Sequence, residues 1–390
     1  MWAAVGLLPS GPIKLTERCL VLGREVIGGS CGSSDVAAKR MYRHLNNSRA
    51  RGAYWGIGFL LWTRACFAAD TVRPSSPINI FAPASTPASE IYHLALFVFV
   101  ITGAMFVVVA GLLCFAVFRF RARKVYEASE PPQIYGSNQI ELAWTVIPVL
   151  TVVVLFLATA RVIFAIQDAP KPPAALDVTV IGHQFWWEYR YPSLGIITAN
   201  ELHVPLSHPN HPTSTYLKLT SADVDHSFWV PQLAGKTDLI PNRVNEMWID
   251  PQRPGLYLGQ CAQFCGIEHA KMLLRVYVDT PEQFAAWVKD QHRPGNQDPS
   301  VAAGRRVFET QACMNCHTVI GTAATGRFGP DLTHFMSRST LAAGAAVNNA
   351  PNIREWLKSP DHFKQGSLMP AMQLSDQQLD ELVAYLSTLH

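Results

Sequence analysis

Charge is scarce in this sequence. Asp, Glu, Lys and Arg make up only 16% of its 390 residues, and the formal net charge is just +3. No basic run is interleaved with aromatics, which argues against a nucleic-acid surface. Cysteine is scarce too: there are eight, and their placement is too uneven for a disulfide framework. Four form two close pairs, Cys261/Cys265 and Cys313/Cys316, while Cys19, Cys31, Cys66 and Cys114 are scattered through N-terminal or apolar sequence. Close cysteine pairs with histidine nearby read as cofactor sites. The length leaves room for two or three domains.

What the chain has in quantity is apolar sequence, 49% of its residues, concentrated in the first half. Arg43, Arg49 and Arg51 precede AYWGIGFLLW and then TRACFAAD. Basic, apolar and small residues in that order form a secretory signal, with a cut expected after Ala68. Residues 1–68 therefore read as an N-terminal extension and signal peptide, with Met41 at the head of the pattern. The next apolar run, residues 91–118, has no charged residue and is long enough for a hydrocarbon core of about 30 Å. Arg119, Arg121, Arg123 and Lys124 follow at once, which places that end in the cytoplasm. A second span, about 142–164, returns the chain. The expectation is a hairpin over 69–170 in a bacterial cytoplasmic (inner) membrane, with the rest of the chain on the outer, periplasmic side.

From LDVTVIGHQFWWEYRYP onward the texture changes to short β-branched and aromatic runs separated by Pro, Gly and Asn. That pattern predicts a β-sandwich or barrel over 171–290. Met272, Leu274, Val276 and Val278 alternate, so one face of the last strand points into a core, and PEQFAAWVKD predicts a closing helix. Between two strands lies GQCAQFCGIEHAKM, with Cys261, Cys265, His269 and Met272 as soft donors that suit copper. The stretch DVDHSFW supplies a further ligand, His226. A single copper needs only one cysteine, two histidines and a weak methionine. Two thiolates bridging two coppers use every donor, with the carbonyl of Gln263 as the second weak ligand. Zinc is the competing metal, opposed by Met272 and by the lack of a second C-x2-C pair.

The spacing C-x3-C-x3-H-x2-M after an upstream H-S-F resembles the binuclear copper A site of subunit II of haem–copper cytochrome c oxidases. ELAWTVIP, GHQFWWEY, LTSADVDHSFWVP and GKTDLIPNR carry the same resemblance, together covering roughly 88–285. It implies a cupredoxin-like fold behind a two-helix membrane anchor. It also implies electron-receiving aromatics at Phe185, Trp186 and Trp187, and a proton-path acid at Glu141. The sequence departs from the family pattern twice: Gln263 stands where a magnesium-binding glutamate is usual, and Phe185 where tryptophan is usual. The uncharged Gln263 argues against a strong magnesium ligand here.

Behind a polar linker, QHRPGNQDPS (291–300), stands CMNCH. C-x-x-C-H is the c-type haem attachment motif, with Cys313 and Cys316 as the thiols and His317 as the iron ligand. Residues 299–390 resemble small cytochromes c, an all-α fold. The resemblance makes Met369, which precedes a proline, the sixth ligand in preference to Met372 or Met336, and sets Pro330 beside the His317 ring. Ser375 and Gln378 predict a capping box before a final helix with Leu379, Leu382, Val383 and Leu386 on one face. Gly304 is expected where helices pack closely against Tyr385.

Together these readings give a multidomain membrane protein: a transmembrane hairpin, a copper A domain (171–290) and a haem c domain (301–390). They imply an electron-transfer subunit of a caa3-like oxidase that works with subunit I and subunit III. Its donor would be a soluble or membrane cytochrome c or a bc1 complex. The oxygen-reducing site would lie in subunit I, because the two spans hold only His93. The rival readings are a copper A subunit of a nitric oxide reductase and a membrane-tethered copper carrier.

Overall fold

The computed structural model describes residues 78–121, 133, 135–169, 171–173, 175–208 and 213–390. The expected signal peptide and the basic residues Arg123 and Lys124 lie outside the described residues. Two long helices come first, α1 (Thr86–Arg119) and α2 (Asn138–Gln167). Both are apolar all round, long enough to cross a membrane, and unburied by the rest of the chain over their apolar windows. A helix with no polar face is one made for lipid or for partner helices. Pro148 lies inside α2, where it removes one backbone hydrogen bond.

Ten strands follow: β1 (Leu176–His183), β2 (Trp186–Tyr191), β3 (Ile196–Ala199), β4 (Glu201–Pro205), β5 (Thr215–Ser221), β6 (His226–Trp229), β7 (Thr237–Leu239), β8 (Asn245–Ile249), β9 (Gly255–Cys261) and β10 (Leu273–Asp279). They form two five-stranded sheets, β3-β2-β1-β5-β8 and β4-β10-β9-β6-β7. Pairing is antiparallel except between β1 and β5 and between β4 and β10. Alternating residues from both sheets build one core around Trp187, Tyr189, Leu217, Phe228, Leu239 and Val276. Met272, Leu274, Val276 and Val278 are all buried in it. Helix α3 (Pro281–Gln291) starts from a Thr280/Gln283 capping box and lays Trp287 on His203 and Tyr191.

The membrane helices are fastened to β8 at one end of the hairpin. The carboxylate of Asp250 accepts from Ser85 Oγ (2.7 Å) and from the backbone N of Thr86 (2.6 Å). Trp248 Nε1 donates to the Ile166 carbonyl (2.7 Å). The first free N–H of α1 and one of the last carbonyls of α2 thus find partners on β8 and the residue just after it.

The C-terminal domain holds α4 (Ala302–Thr310), α5 (Cys313–Cys316), α6 (Ala350–Lys358), α7 (Pro360–Phe363) and α8 (Asp376–Leu386). It also contains a two-residue ladder, β11 (Thr340–Leu341) with β12 (Ala346–Val347), which the sequence does not signal. Helix α8 has the Ser375/Gln378 capping box and buries Leu379, Leu382 and Leu386. It crosses α4 so closely that a Cβ on Gly304 would lie 1.9 Å from the Glu381 carbonyl oxygen and 2.7 Å from Tyr385 Cβ. Residues 291–300, read above as a linker, are strapped to this domain. Gly295 N donates to the Ile320 carbonyl (2.8 Å) and Gln297 Nε2 to that of Gly321 (2.7 Å). Its prolines and glycine shape a bound strap, and composition alone does not distinguish a strap from a free linker.

Candidate metal and haem centres

Strand β9 ends on Cys261, β6 begins on His226, and the β9–β10 loop carries the remaining donors. Close approach of β9 to β6 requires Gly259, because a Cβ there would sit 2.2 Å from the Trp229 carbonyl oxygen. The two thiol sulfurs lie 3.9 Å apart, far beyond the roughly 2.05 Å of a disulfide bond. His226 Nδ1 is 4.0 Å from Cys261 Sγ, and His269 Nδ1 is 3.7 Å from Cys265 Sγ. Met272 Sδ lies 3.9 Å from Cys265 Sγ, and the Gln263 carbonyl oxygen 3.2 Å from Cys261 Sγ. Each sulfur thus has its own imidazole, and two weak donors flank the pair.

His226 is fully buried, and its Nε2 bonds to Asp223 Oδ1 at 2.8 Å. That bond turns Nδ1 toward the sulfurs, as a carboxylate commonly orients a metal-binding histidine. Burial alone would lower the basicity of His226, but the Asp223 and Cys261 partners outweigh it and raise it. The hydrogen bond between the thiols holds Cys261 down to about 3 against burial, and pushes Cys265 upward. The donor set fits soft metal ions, and it holds more donors than the four that one tetrahedral zinc takes. Gln263 is exposed and brings no charge for magnesium.

The second centre is an apolar cavity of about 1380 Å³, counted with its open mouth. Cys313, Cys316, His317, Met369 and Met372 line it. Met336 packs into the core of the domain instead. His317 Nδ1 donates to the Pro330 carbonyl (2.7 Å), which leaves Nε2 free to bind a metal. Burial lowers the basicity of His317. Gly329 lies flush against that ring, since a Cβ there would be 2.6 Å from Cε1. The buried Arg338 also lines the cavity, and its Nε has no protein partner. A large apolar ring system with carboxylate arms suits such a cavity, so the residues fit a haem.

The far wall of this cavity belongs to the β-domain: Gln184, Phe185, Trp186 and Asn200. Gln184 Nε2 donates to the Cys265 carbonyl at 2.6 Å, so a single side chain runs from the cavity wall to the thiol loop. The aromatic patch is thus not open surface. Phe185 is 7% exposed, against Gly266 of the loop. Trp186 stacks on His183 with ring centroids 4.2 Å apart. Trp187 is 0% exposed in the core, edge-on to His226 at 6.0 Å. Glu141 sits exposed in the first turn of α2. Sequence reasoning missed Asp223, Gln184 and Arg338 as working parts. Asp223 had a local signal, three residues before His226.

A two-helix anchor, a thiolate–imidazole cluster and a haem cavity sharing a wall define a membrane-bound electron-transfer protein. Comparison with known proteins specifies it further. Residues 75–162 match the transmembrane domain of cytochrome c oxidase subunit II, residues 198–278 its periplasmic domain, and residues 301–390 cytochrome c. Cytochrome c oxidase subunit 2 of Alkalihalophilus pseudofirmus is 32% identical over 314 residues, covering 79% of this chain and 89% of the relative. That of Bacillus subtilis is 31% identical, covering 80% and 92%. The solved periplasmic domain of subunit II of the cytochrome oxidase of Bradyrhizobium japonicum is 31% identical over 30% of this chain and 94% of that one, with a TM-score of 0.28. The chain belongs to the cytochrome c oxidase subunit II family. It is an electron-transfer subunit of a haem–copper oxidase, carrying a fused cytochrome c domain. Its domains imply copper A and haem c, and its family implies a membrane complex with other oxidase subunits.

Proposed function

We propose that this chain holds a binuclear copper A centre and a covalent haem c, and that it relays electrons inward, from a donor cytochrome to subunit I. When bound, these two groups supply reversible one-electron transfer. His226, Cys261, Cys265 and His269 would hold the two coppers, with Met272 and the Gln263 carbonyl as weak ligands. Asp223 fixes the His226 ring for that task. Cys313 and Cys316 would each add S–H across a vinyl group of the haem. His317 and Met369 would ligate its iron, while the Pro330 carbonyl holds the His317 proton on Nδ1. His226, Cys261, Cys265 and Met272 are buried, and apolar side chains make up most of the cavity wall.

The observation that carries this reading is the shared wall. Gln184 lines the haem cavity and donates to the Cys265 carbonyl, which brings the two centres within one or two side chains of each other. A copper carrier has no need of a haem cavity backed onto its metal loop. The outer face of a bacterial inner membrane, subunits I and III, and a cytochrome c or bc1 donor complete the proposal. Water formation and proton pumping then take place in the partner subunits.

Electron paramagnetic resonance of the copper-loaded chain tests the centre. Hyperfine structure shared equally by two copper nuclei is expected. Signals of a single copper would overturn the binuclear assignment and favour the carrier. Haem that stays on the chain after denaturation, and is lost from Cys313→Ala with Cys316→Ala, would support covalent attachment.

A further inference from the structure

The two domains touch through more than the cavity wall. Glu201, the first residue of β4, is 3% exposed. Its Oε1 accepts from Ser339 N (2.9 Å), Ser339 Oγ (2.9 Å), Thr340 N (3.1 Å) and Thr340 Oγ1 (3.3 Å) of the haem domain. Beside it, Tyr277 Oη bonds to Ser339 Oγ (2.6 Å) and Leu273 N donates to the Ala343 carbonyl (3.1 Å). On the opposite flank Lys364, also 3% exposed, donates from Nζ to the Phe185 carbonyl at 2.5 Å. Gln365 N donates to Glu268 Oε1 (3.0 Å), and Lys271 Nζ donates to the Phe363 carbonyl (2.9 Å). Thr340 and Lys364 both line the haem cavity, so the contacts sit at its rim.

Domains joined in one chain move relative to each other unless their interface prevents it. Here two features do so. Glu201 and Lys364 are both buried at the contact, each hydrogen-bonds groups of the other domain, and a polar group left buried without its partner is costly. The chain between the domains also has little slack. The strap at 291–300 is bonded down, and His334 Nε2 and Nδ1 bond to the carbonyls of Gln291 (3.2 Å) and His390 (3.0 Å).

We propose that Glu201 and Lys364 are positioning residues that hold the haem domain in one fixed dock, so that electrons cross the Gln184–Phe185 segment without domain motion. Neither residue supplies a ligand in the sites described above. Both act by keeping that segment pressed between the two centres. The inference rests on the electron-relay reading and adds that the fused domain is not a tethered shuttle.

The test uses the full chain in its oxidase, with both groups loaded. A photoexcited soluble reductant delivers an electron to the haem, and haem reoxidation is followed at increasing solvent viscosity. The wild-type rate is expected to be independent of viscosity. In the E201A/K364A variant it should fall at least about tenfold, as when the competent fraction drops to about a tenth. It should also become viscosity-dependent, with the haem and copper absorbance unchanged, and E201Q should recover most of the loss. A wild-type rate without viscosity dependence in E201A/K364A would overturn the fixed dock and leave the relay standing. No haem-to-copper transfer in the wild type would overturn both. If E201A/K364A loses a metal spectrum, S339A/T340A removes the two hydroxyl donors to Glu201 and the Ser339 partner of Tyr277, and faces the same two outcomes.

Discussion

Asp223 shows how much one side chain outside the ligand set can decide. It bonds Nε2 of the buried His226 at 2.8 Å and also accepts from the backbone N of Gln184 at 2.6 Å. Asp223→Ala should leave the fold intact but free the ring to rotate. Lost second-layer partners of metal-binding histidines typically cost about 10–100-fold in affinity, and competition with a chelator of known affinity would read that loss. Glu188 makes a different prediction. Burial would raise its pKa, but hydrogen bonds to His183 and Arg190, with the charge of Arg190, hold it below 4.5. A lowered carboxylate contributes stability that is present above its unfolded value and fades as pH falls through the folded one. The gap in unfolding stability between wild type and Glu188→Gln should therefore shrink as the pH drops below 4.5. A constant gap would mean that the ion pairs contribute nothing.

At the scale of elements, the sequence was most legible where the physics is local. The donors proposed for copper, His226 excepted, fall within fourteen consecutive residues, and the thiols and histidine proposed for haem within five. The apolar spans, the alternation along β10 and the capping box of α8 depend on neighbours a few residues away, so the pattern reveals them. Gly304 was legible for a different reason: its partners on α8 are distant in sequence, and only the resemblance to small cytochromes c signals that helix pair. What could not be read joins segments far apart. Glu201 meets Ser339 138 positions later, and Lys364 reaches back 179 positions to Phe185. No periodicity links such loops, so the covering of Phe185 and Trp186 by the haem domain was not legible. The seating of the hairpin is equally non-local. Asp250→Ala removes the acceptor for Ser85 and Thr86 at the start of α1, 164 or more positions away. Hydrogen bonds to a charged group contribute about 1.5–3 kcal/mol each, and their loss is incompletely recovered by water. We expect a loss of about 2–3 kcal/mol in the denaturation of the β-domain of the full chain in detergent.

Across the whole molecule, the architecture places two redox sites on one side of a membrane anchor and presses them against a common wall. The anchor is tied to β8, the copper loop lies between β9 and β10, and the haem domain covers Phe185. Each part has a role if electrons move along the chain, and the copper-carrier reading leaves parts unused. A copper carrier needs one exchangeable ion and no haem cavity backed onto its metal loop. The most direct test is the copper-to-iron ratio of the full chain, matured with haem and then washed with a mild chelator. The account predicts two retained coppers per haem iron. A single copper, or copper that the chelator removes, would contradict it.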